Sequence, residues 1–561
     1  MTEATEAGAA RYRWPLRLCA LVAASLAACV GAASATDFAV SVPRGSGEAV
    51  TGRLILIAAP AGTPEPRQMI SLNGPPIFGM DVEGLAPGQT VRLAPDAESY
   101  PVDRLAALPA GEYDVQAVLV RYSEVTRADG HTIHVPISDR RVFAAAMPGN
   151  LYSAPARVRV VAGDDTVVTL PLDHVIPPLP ALEDTPWIRR VRIRSDILSE
   201  FWGVPMYLGA SVLIPRGFEE EPEARYPAIY VFGHGDTPFG FDPDPASHAG
   251  DVASARDANV ETGYEFFRAW TSDAFPRVVA ITLEHPSPYF VESYAVNSAN
   301  NGPYGDAITR ELIPFLEREF RLVSAPHARI VEGASTGGWE ALALQLNYPD
   351  LFGGAWVFNP DPVSFDRYQL VDIYKDRNMF TTPVNDWMTA ERPFRRTREG
   401  QPVLTVREIA AFEAVLGSRG RSGYQLDIWQ ATHGPVGEDG YPVPLFDKKT
   451  GEIDPEVAVW MRENGYDLTA RLRDDWETLG PRLAGKLNLF AGDMDDFYLN
   501  LGVYRLEETV RELGGPDYPA RFEYGRPRKG HNWHHTDWAG VVREMAAHIE
   551  AHAPQDEETP Q

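Results

Sequence analysis

Residues 330–345, IVEGASTGGWEALALQ, set a run of small residues between an apolar segment typical of a strand and a segment typical of a helix. Within this run, residues 333–337 spell the pattern G-x-S-x-G, with Ser335 at its centre. Small residues are needed where the chain turns so sharply from strand to helix that backbone segments come close together. The pattern therefore predicts that the Ser335 hydroxyl projects above the carboxyl edge of a sheet, where it could act as a nucleophile.

Strand-like and helix-like segments alternate on both sides of that stretch. The apolar runs are YPAIYVFGHG, RVVAITLEH and ARIVEGAS, and the helix-like runs between them are YEFFRAWTSD and DAITRELIPFLEREF. This alternation predicts an α/β domain with a mainly parallel central sheet covered by helices, which we place at residues 181–555. Residues 366–484 do not fit the alternation and are interpreted as a cap-like insertion.

The N-terminal part of the chain has a different pattern. Residues 36–180 contain short apolar runs separated by turn residues, among them GRLILIAA and GEYDVQAVLVRY, without a long helical periodicity. This spacing predicts an all-β sandwich domain. The proline-rich stretch at residues 174–186 is typical of a linker and places the boundary between the two domains near residue 181.

The first 35 residues have the organisation of an export signal. Three arginines precede the apolar run LCALVAASLAACV, and the small residues GAASA follow it. We therefore predict a signal peptide at residues 1–35 and a periplasmic or secreted protein, because the apolar run is short for a membrane-spanning helix. LAAC, at residues 26–29, resembles a bacterial lipobox, so a lipoprotein anchored at Cys29 is the alternative.

Charge and cysteine content restrict the possible partners. The 561-residue chain carries a formal net charge of −27, which argues against nucleic acid because binding it depends on clustered lysine and arginine. The only two cysteines, Cys19 and Cys29, lie in the predicted signal, so the mature protein is expected to have no internal disulfide. The acidic residues 556–561 are predicted to form a disordered tail.

A serine hydroxyl becomes an effective nucleophile when a histidine accepts its proton and a carboxylate orients that histidine. Both partners are expected downstream of Ser335, the acid first. The strand-like KLNLFAG ends in DMDDFYLN, which places Asp493, Asp495 and Asp496 at the carboxyl end of a strand. Asp495 is the favoured acid, because a turn after Gly492 would present its side chain to the serine, and Asp493 and Asp496 are the alternatives.

Three histidines, His531, His534 and His535, lie in the loop GRPRKGHNWHHTDW before the last predicted helix. Gly530 lets this loop approach the serine closely and Trp533 can hold it by packing, which favours His531 as the general base. Zinc binding by the three histidines is the alternative. The adjacency of His534 and His535, and the lack of an H-E-x-x-H helix or cysteine ligands, argue against it, so we predict no metal and no cofactor.

An oxyanion that develops on the substrate needs two hydrogen-bond donors. The backbone N–H of Thr336 lies at the start of the predicted helix, where the helix dipole favours negative charge. The glycine-rich loop after the strand AIYVF offers Gly235 and Asp236 as candidates for the second donor. His234 in the same loop is interpreted as shaping the loop, because it precedes the serine in the chain.

Together these residues resemble the esterase D family of α/β-hydrolases, which includes feruloyl and acetyl-xylan esterases, siderophore esterases and S-formylglutathione hydrolase. The resemblance is carried, between residues 190 and 552, by YPAIYVFGHG, AITRELIPFLEREFRL, GASTGGWEALALQLNYPDLFGGAWVFNP, GDMDDFY and GHNW. It implies an α/β-hydrolase fold with Ser335 as nucleophile, Asp495 as acid and His531 as base. It does not extend to the N-terminal domain.

The resulting hypothesis is an exported serine hydrolase that cleaves small-molecule or glycan-linked carboxylic esters through an acyl-enzyme. The alternatives are an acyltransferase that uses a sugar hydroxyl in place of water, a peptidase, and a surface binding protein with a relic hydrolase domain. The N-terminal domain could bind glycan, pack against the mouth of the hydrolase or hold it off the cell surface. The sequence does not determine the acyl group or the alcohol.

Overall fold

The computed structural model describes residues 36–45, 47–161, 166–246 and 259–554 of the chain. The predicted signal peptide, with both cysteines, and the predicted tail at residues 556–561 lie outside the described residues. In the described ranges, no helix combines the length and the apolar character that crossing a membrane requires.

The N-terminal region is built mainly from short strands. They are β1 (Asp37–Ser41), β2 (Val50–Pro60), β3 (Ile77–Leu85), β4 (Thr90–Arg92), β5 (Glu98–Tyr100), β6 (Gly111–Arg121), β7 (Ser123–Thr126), β8 (Thr132–Val135), β9 (Leu151–Tyr152), β10 (Ala156–Val160), β11 (Val167–Pro171) and β12 (His174–Val175). One sheet has the order β12-β9-β6-β2-β3-β5, with β10 also paired to β6, and a second has the order β11-β1-β4. The predicted strand-rich N-terminal region is confirmed.

The two faces of the larger N-terminal sheet are buried against different partners, because successive side chains of a strand point to opposite sides. On one face, Leu54 and Leu56 of β2 share a core with Phe38 of the smaller sheet. On the other face, Ile55 packs in a cluster with Phe412, which belongs to the predicted insertion. The N-terminal region is therefore packed against the second part of the chain.

The C-terminal region is centred on an eight-stranded sheet. The remaining strands are β13 (Ile188–Ser195), β14 (Met206–Leu213), β15 (Ala228–Phe232), β16 (Val279–Glu284), β17 (Asn297–Ser298), β18 (Gly302–Pro303), β19 (Arg329–Ala334), β20 (Gly354–Phe358), β21 (Thr381–Asn385), β22 (Met388–Glu391), β23 (Pro393–Arg396), β24 (Pro402–Thr405), β25 (Leu487–Gly492) and β26 (Ala520–Gly525). The sheet order is β13-β14-β16-β15-β19-β20-β25-β26. The neighbours from β16 to β26 pair in parallel, whereas β13 with β14 and β14 with β16 pair antiparallel.

Helices lie on both faces of this sheet and in the segment between β20 and β25. They are α1 (Asp196–Trp202), α2 (Gly263–Trp270), α3 (Tyr304–Ala307), α4 (Ile313–Glu319), α5 (Thr336–Asn347), α6 (Val406–Leu416), α7 (Gln425–His433), α8 (Pro455–Glu463), α9 (Leu468–Asp474), α10 (Trp476–Leu483), α11 (Asn500–Gly514) and α12 (Trp538–His552). A single turn of π-helix, Ile308–Leu312, joins α3 to α4. Adjacent residues of β19 belong to opposite cores: Val331 packs with α4 and α5, and Ile330 packs with α2 and α12.

The predicted insertion has regular structure of its own. Between β20 and β25 the chain forms the hairpins β21–β22 and β23–β24 and the helices α6 to α10. Helix α6 begins with a capping box in which the side chains of Thr405 and Glu408 satisfy backbone N–H groups at its start. The parallel strands β15, β19, β20, β25 and β26 end at one edge of the sheet, and the loops after them build the site described next.

Candidate active site

Ser335 forms the turn between β19 and α5 by itself, since one element ends and the other begins at its two neighbours. Its φ of 57° and ψ of −123° are a backbone conformation that residues other than glycine rarely adopt. The turn is possible because Gly333 and Gly337 lack side chains. A Cβ on Gly333 would overlap the backbone of Gly337, and a Cβ on Gly337 would overlap the backbone of Phe232. The geometry at Ser335 is thus a strand-to-helix elbow.

The structure brings Asp495 and His531 together. His531 Nδ1 lies 2.7 Å from Asp495 Oδ2, and the Asp495 side chain is fully buried. The backbone N–H groups of Phe497 and Leu499 donate to Asp495 Oδ1 at 2.8 and 3.1 Å, so the carboxylate is held in place by its own loop. Burial disfavours the protonated ring of His531, but the charge of Asp495 and its hydrogen bond outweigh burial and hold the pKa of His531 above its ordinary value.

The two alternative acids have other partners. Asp493 Oδ1 accepts a hydrogen bond from the backbone N–H of Lys529 at 2.9 Å. Asp496 Oδ1 accepts one from the backbone N–H of His531 at 3.3 Å, and Asp496 Oδ2 lies 3.5 Å from Arg395. Both carboxylates therefore contact the loop that carries His531, and neither has a hydrogen bond to its imidazole within the described ranges.

The other two histidines of this loop are buried against aromatic side chains. The ring of His534 lies 4.1 Å from that of Trp538, and burial lowers the pKa of His534 to about 3. The ring of His535 stacks on Phe490 at 4.1 Å, and its Nε2 lies 2.9 Å from Glu544 Oε2. These contacts hold the segment that precedes α12. Of the three histidines in the loop, His531 is the one that is hydrogen-bonded to a carboxylate at the end of a strand.

The candidate oxyanion donors lie on two elements. Thr336 begins α5, so its N–H has no partner within the helix. Gly235 lines a cavity together with Ser335, whereas Asp236 does not line it. In the described part of the chain, the N–H groups of Gly235 and Asp236 donate no hydrogen bond. His234 was predicted only to shape this loop, but it also lines the cavity, and the charge of Glu292 raises its pKa.

Sequence reasoning missed Asp361, a buried residue in the loop after β20. Its Oδ1 accepts a hydrogen bond from Ser335 Oγ at 3.4 Å, and its Oδ2 accepts hydrogen bonds from Tyr294 at 2.6 Å and Thr336 at 3.0 Å. Gln425 of the insertion donates to the same Oδ2 at 2.8 Å. Burial raises the pKa of Asp361 against the opposing effect of these donors. Its position three residues after the end of a strand was an available signal.

Two cavities meet at Ser335 and His234. One, which we call the apolar cavity, has a volume of about 300 Å³. Most of its wall is aromatic or aliphatic and includes Phe143, Phe290, Phe394, Tyr424, Trp429 and Phe497. The other, which we call the histidine cavity, has a volume of about 400 Å³. Its wall includes Gly235, Thr237, Glu332, His531, Asn532 and His534.

In the described ranges, no group of three or more His, Cys, Asp or Glu side chains could hold a metal ion. Two buried glutamates, Glu332 and Glu340, have pKa values raised well above the ordinary value, and burial is the largest cause for both. The groups that the site offers for chemistry are thus the hydroxyl of Ser335, the imidazole of His531 paired with Asp495, and backbone N–H donors such as that of Thr336.

Ser335, at its strand-to-helix elbow, lines the same cavity as His531, whose ring is paired with the strand-end Asp495. This arrangement is the one expected of a serine-hydrolase type of site in an α/β protein. Residues 206–407, which include Ser335 and Asp361, match the family model described as "Esterase: Putative esterase". The esterase resemblance is confirmed for that segment. Asp495 and His531 lie outside it. No curated protein matches the chain.

Solved structures of other proteins are also similar to parts of the chain. A ferulic acid esterase has 15% identity and a TM-score of 0.33, covering 65% of this chain and 97% of its own. The S-formylglutathione hydrolase of Agrobacterium tumefaciens has 12% identity and a TM-score of 0.30, covering 65% and 93%. MPT51 of Mycobacterium tuberculosis has 14% identity and a TM-score of 0.32, covering 66% and 99%.

Proposed function

We propose that the protein is a serine hydrolase that cleaves carboxylic esters through an acyl-enzyme. In this proposal Ser335 is the nucleophile, His531 the general base and Asp495 the acid that orients it. The observation that carries the proposal is the 2.7 Å contact between His531 Nδ1 and Asp495 Oδ2 at a cavity that Ser335 also lines. The esterase family match over residues 206–407 supports an ester as the bond that is cleaved.

The reaction follows from the direction of the hydrogen bonds. Asp495 holds the hydrogen on Nδ1 of His531, which leaves Nε2 able to accept a proton. Ser335 Oγ attacks the ester carbonyl carbon while its hydrogen moves to His531; for this, the hydroxyl turns away from its resting contact with Asp361. The imidazolium then protonates the leaving alcohol, and the acyl group stays on Ser335. Water activated by the same histidine releases the acid.

The negative oxygen of the tetrahedral intermediate requires donors that are already in place. The N–H of Thr336 supplies one of them from the start of α5, where the helix dipole adds to the stabilisation. The loop with Gly235 and Asp236 supplies the second. No cofactor takes part in this scheme.

We assign the protein, within this proposal, to the esterase D-like α/β-hydrolases, with a signal peptide at residues 1–35, an N-terminal β-sandwich at 36–180 and a catalytic domain at 181–555. Residues 366–484 act as a cap, which is supported by the position of Tyr424 and Gln425 in the wall of the apolar cavity. The substrate is a small-molecule or glycan-linked ester. The enzyme is periplasmic, secreted, or anchored as a lipoprotein through Cys29.

Labelling with a fluorophosphonate, followed by peptide mass spectrometry, tests the nucleophile. We expect the label on Ser335. Ser335→Ala should abolish labelling and lower turnover of p-nitrophenyl esters on the order of 10⁴-fold or more, because the remaining site can only bind the substrate and stabilise charge. Thermal melting of both proteins controls for folding. Near-normal turnover by the variant would remove Ser335 from the mechanism, and acyl transfer to an added sugar faster than hydrolysis would favour the acyltransferase alternative.

Export is tested separately by intact-mass measurement of the protein made in its native host. Cleavage after Ala35 predicts a mature chain that begins at Thr36. Use of the lipobox predicts a diacylated Cys29 as the first residue. A mature chain that still begins at Met1 would contradict both forms of the export proposal.

A further inference from the structure

One segment of the N-terminal region, residues 138–147, lies against the mouth of the candidate active site. This segment, which we call the bridging segment, connects β8 to β9 and contains one turn of 3₁₀-helix, Ala144–Ala146. Two of its side chains, Arg141 and Phe143, contact residues that surround Ser335. The N-terminal region thus reaches the site itself.

Arg141 is hydrogen-bonded to the loop with Gly235 and Asp236, which carries the proposed second oxyanion donor. Its guanidinium donates to the backbone oxygen of Gly235 at 2.6 Å and to that of Leu283 at 2.9 Å, and it lies 3.4 Å from Glu292 Oε1. The planar fork of arginine can hold several acceptors in one fixed geometry. In a planar trans peptide, the C=O of Gly235 and the N–H of Asp236 point in opposite directions. Fixing the Gly235 carbonyl therefore also fixes the direction of the Asp236 N–H.

Phe143 closes one end of the apolar cavity. Its ring stacks on that of Tyr424 from the insertion, with centroids 5.5 Å apart, and meets the ring of Phe290 edge-on at 6.3 Å. Leu72, also from the N-terminal region, lines the same cavity. Phe143 is 49% exposed, which is unusual for so large an apolar side chain and places it at the rim.

The two cavities are not equivalent for an ester bound at Ser335. The general base returns its proton to the leaving alcohol, so the alcohol must lie within reach of His531. His531 lines the histidine cavity and, within the described ranges, is not among the residues that line the apolar cavity. The acyl group therefore extends into the apolar cavity. A charged acyl group would lose its hydration among these aromatic side chains, so the cavity fits an apolar one.

We propose, on the basis of the esterase function given above, that the bridging segment is part of the active site: Phe143 supplies an aromatic wall that favours large apolar acyl groups over acetyl, and Arg141 positions the loop with Gly235 and Asp236. The substrates are esters of apolar acyl groups larger than acetyl. Phe143 is a specificity-determining residue and Arg141 a positioning residue. The N-terminal region completes the site and is not only a spacer.

The acyl-size part is tested with kcat/KM for p-nitrophenyl acetate, butanoate and octanoate. Wild-type enzyme should prefer octanoate over acetate. Phe143→Ala should reduce the octanoate-to-acetate ratio about tenfold, because one aromatic wall of the acyl site is lost, and Phe143→Leu should give an intermediate ratio. Val161→Ala, a truncation at a half-exposed apolar residue of the N-terminal region that lines neither cavity, should leave the ratio unchanged. An unchanged ratio in Phe143→Ala would overturn the proposal, and so would an equal reduction in Val161→Ala.

The positioning part is tested with Arg141→Ala and Arg141→Lys. Loss of an aligned oxyanion donor should lower kcat by about 10- to 100-fold for all three esters, with KM changed less than threefold, since the bound ground state uses this donor least. Added methylguanidinium should restore part of the kcat of Arg141→Ala, which a general loss of packing would not allow. Arg141→Lys keeps the cation without the fork and provides a second, milder variant. A wild-type kcat in both variants, or a rise in KM alone, would overturn this role.

The two proposals fail in different ways. If fluorophosphonate does not label Ser335 in the wild-type protein, the esterase function is wrong. If Ser335 is labelled and p-nitrophenyl acetate is hydrolysed, but the Phe143 and Arg141 variants behave like wild type, only the role of the bridging segment is wrong.

Discussion

The two sides of Ser335 are assembled from the chain in different ways. On one side, Asp495 and His531 come from the loops after β25 and β26, two strands that are adjacent in the sheet. The two residues are only 36 positions apart in the sequence. On the other side, Asp361 is bonded to Gln425, 64 positions away, and the N-terminal Phe143 closes the cavity. The proposed catalytic pair thus depends on neighbouring loops, whereas the proposed acyl site depends on packing between distant parts of the chain.

The two carboxylates near Ser335, Asp495 and Asp361, show this difference most clearly. Asp495 contacts an imidazole and two backbone N–H groups, so it can orient His531 and stabilise its protonated form. Asp361 accepts hydrogen bonds from the hydroxyls of Ser335, Thr336 and Tyr294 and, in the described ranges, from no histidine ring. We therefore propose that Asp495 acts on the base and that Asp361 acts on the elbow. Three substitutions, from the largest expected effect to the smallest, test this division.

Replacing the base should have the largest effect of the three. His531→Ala removes the histidine that is hydrogen-bonded to Asp495 and should reduce kcat/KM by about 10³-fold or more, in line with the upper range for general acid–base catalysis. His534→Ala and His535→Ala should change kcat/KM only a few-fold, because those rings pack on Trp538 and Phe490. Activities are to be compared below the melting temperature of each variant. A greater loss in His535→Ala, with folding intact, would move the base four residues along the loop.

The second-largest loss of kcat/KM is expected when the charge that orients the base is removed. Asp495→Asn should lower kcat/KM on the order of 10²-fold, less than loss of the histidine itself, because an imidazole remains. The same substitution should also change the pH profile. His531 must be neutral to accept a proton, so activity rises with pH through its pKa, which Asp495 holds above the ordinary value.

In Asp495→Asn the acidic limb of the profile should therefore move to lower pH, because removing the negative charge lowers the pKa of His531. Asp493→Asn and Asp496→Asn are the controls, since each has a hydrogen bond to the backbone of the same loop and none to the ring. Asp496→Asn should move the acidic limb less than Asp495→Asn does, because the charge of Asp496 raises the pKa of His531 less than that of Asp495. An acidic limb that stays at the wild-type pH in Asp495→Asn, but moves in either control, would reassign the acid.

The sequence predicted the side of the site with Asp495 better than the side with Asp361, and the reason is physical. The elbow at Ser335 needs glycines at fixed offsets, and a strand-end acid such as Asp495 is a local signal, so both could be found without a structure. Asp361 also follows its strand by three residues, but only tertiary structure shows which of the two acids faces the histidine. The contacts of Gln425 and Phe143 depend on how residues 366–484 and the strand-rich N-terminal region pack, which no local sequence pattern records.

The smallest effect is expected at Asp361, and it distinguishes a carboxylate that shapes the elbow from one that serves the base. Asp361→Asn should lower kcat about tenfold with little change in KM, because Thr336, a proposed oxyanion donor, loses the charged acceptor of its hydroxyl. Gln425→Ala removes one donor to the same oxygen and should cost less.

The matched control is Asp467→Asn. Asp467 is also a buried aspartate whose pKa burial raises, and it accepts a hydrogen bond from Tyr374 at 2.8 Å, as Asp361 does from Tyr294 at 2.6 Å. It lines neither cavity at Ser335, so its substitution should lower the melting temperature without changing kcat. A tenfold loss of kcat at Asp361 but not at Asp467 therefore reports on the elbow and not on general stability. If Asp361→Asn instead matched the loss in Asp495→Asn and moved the acidic limb equally far, both carboxylates would act on His531, and the division between the two sides of Ser335 would not hold.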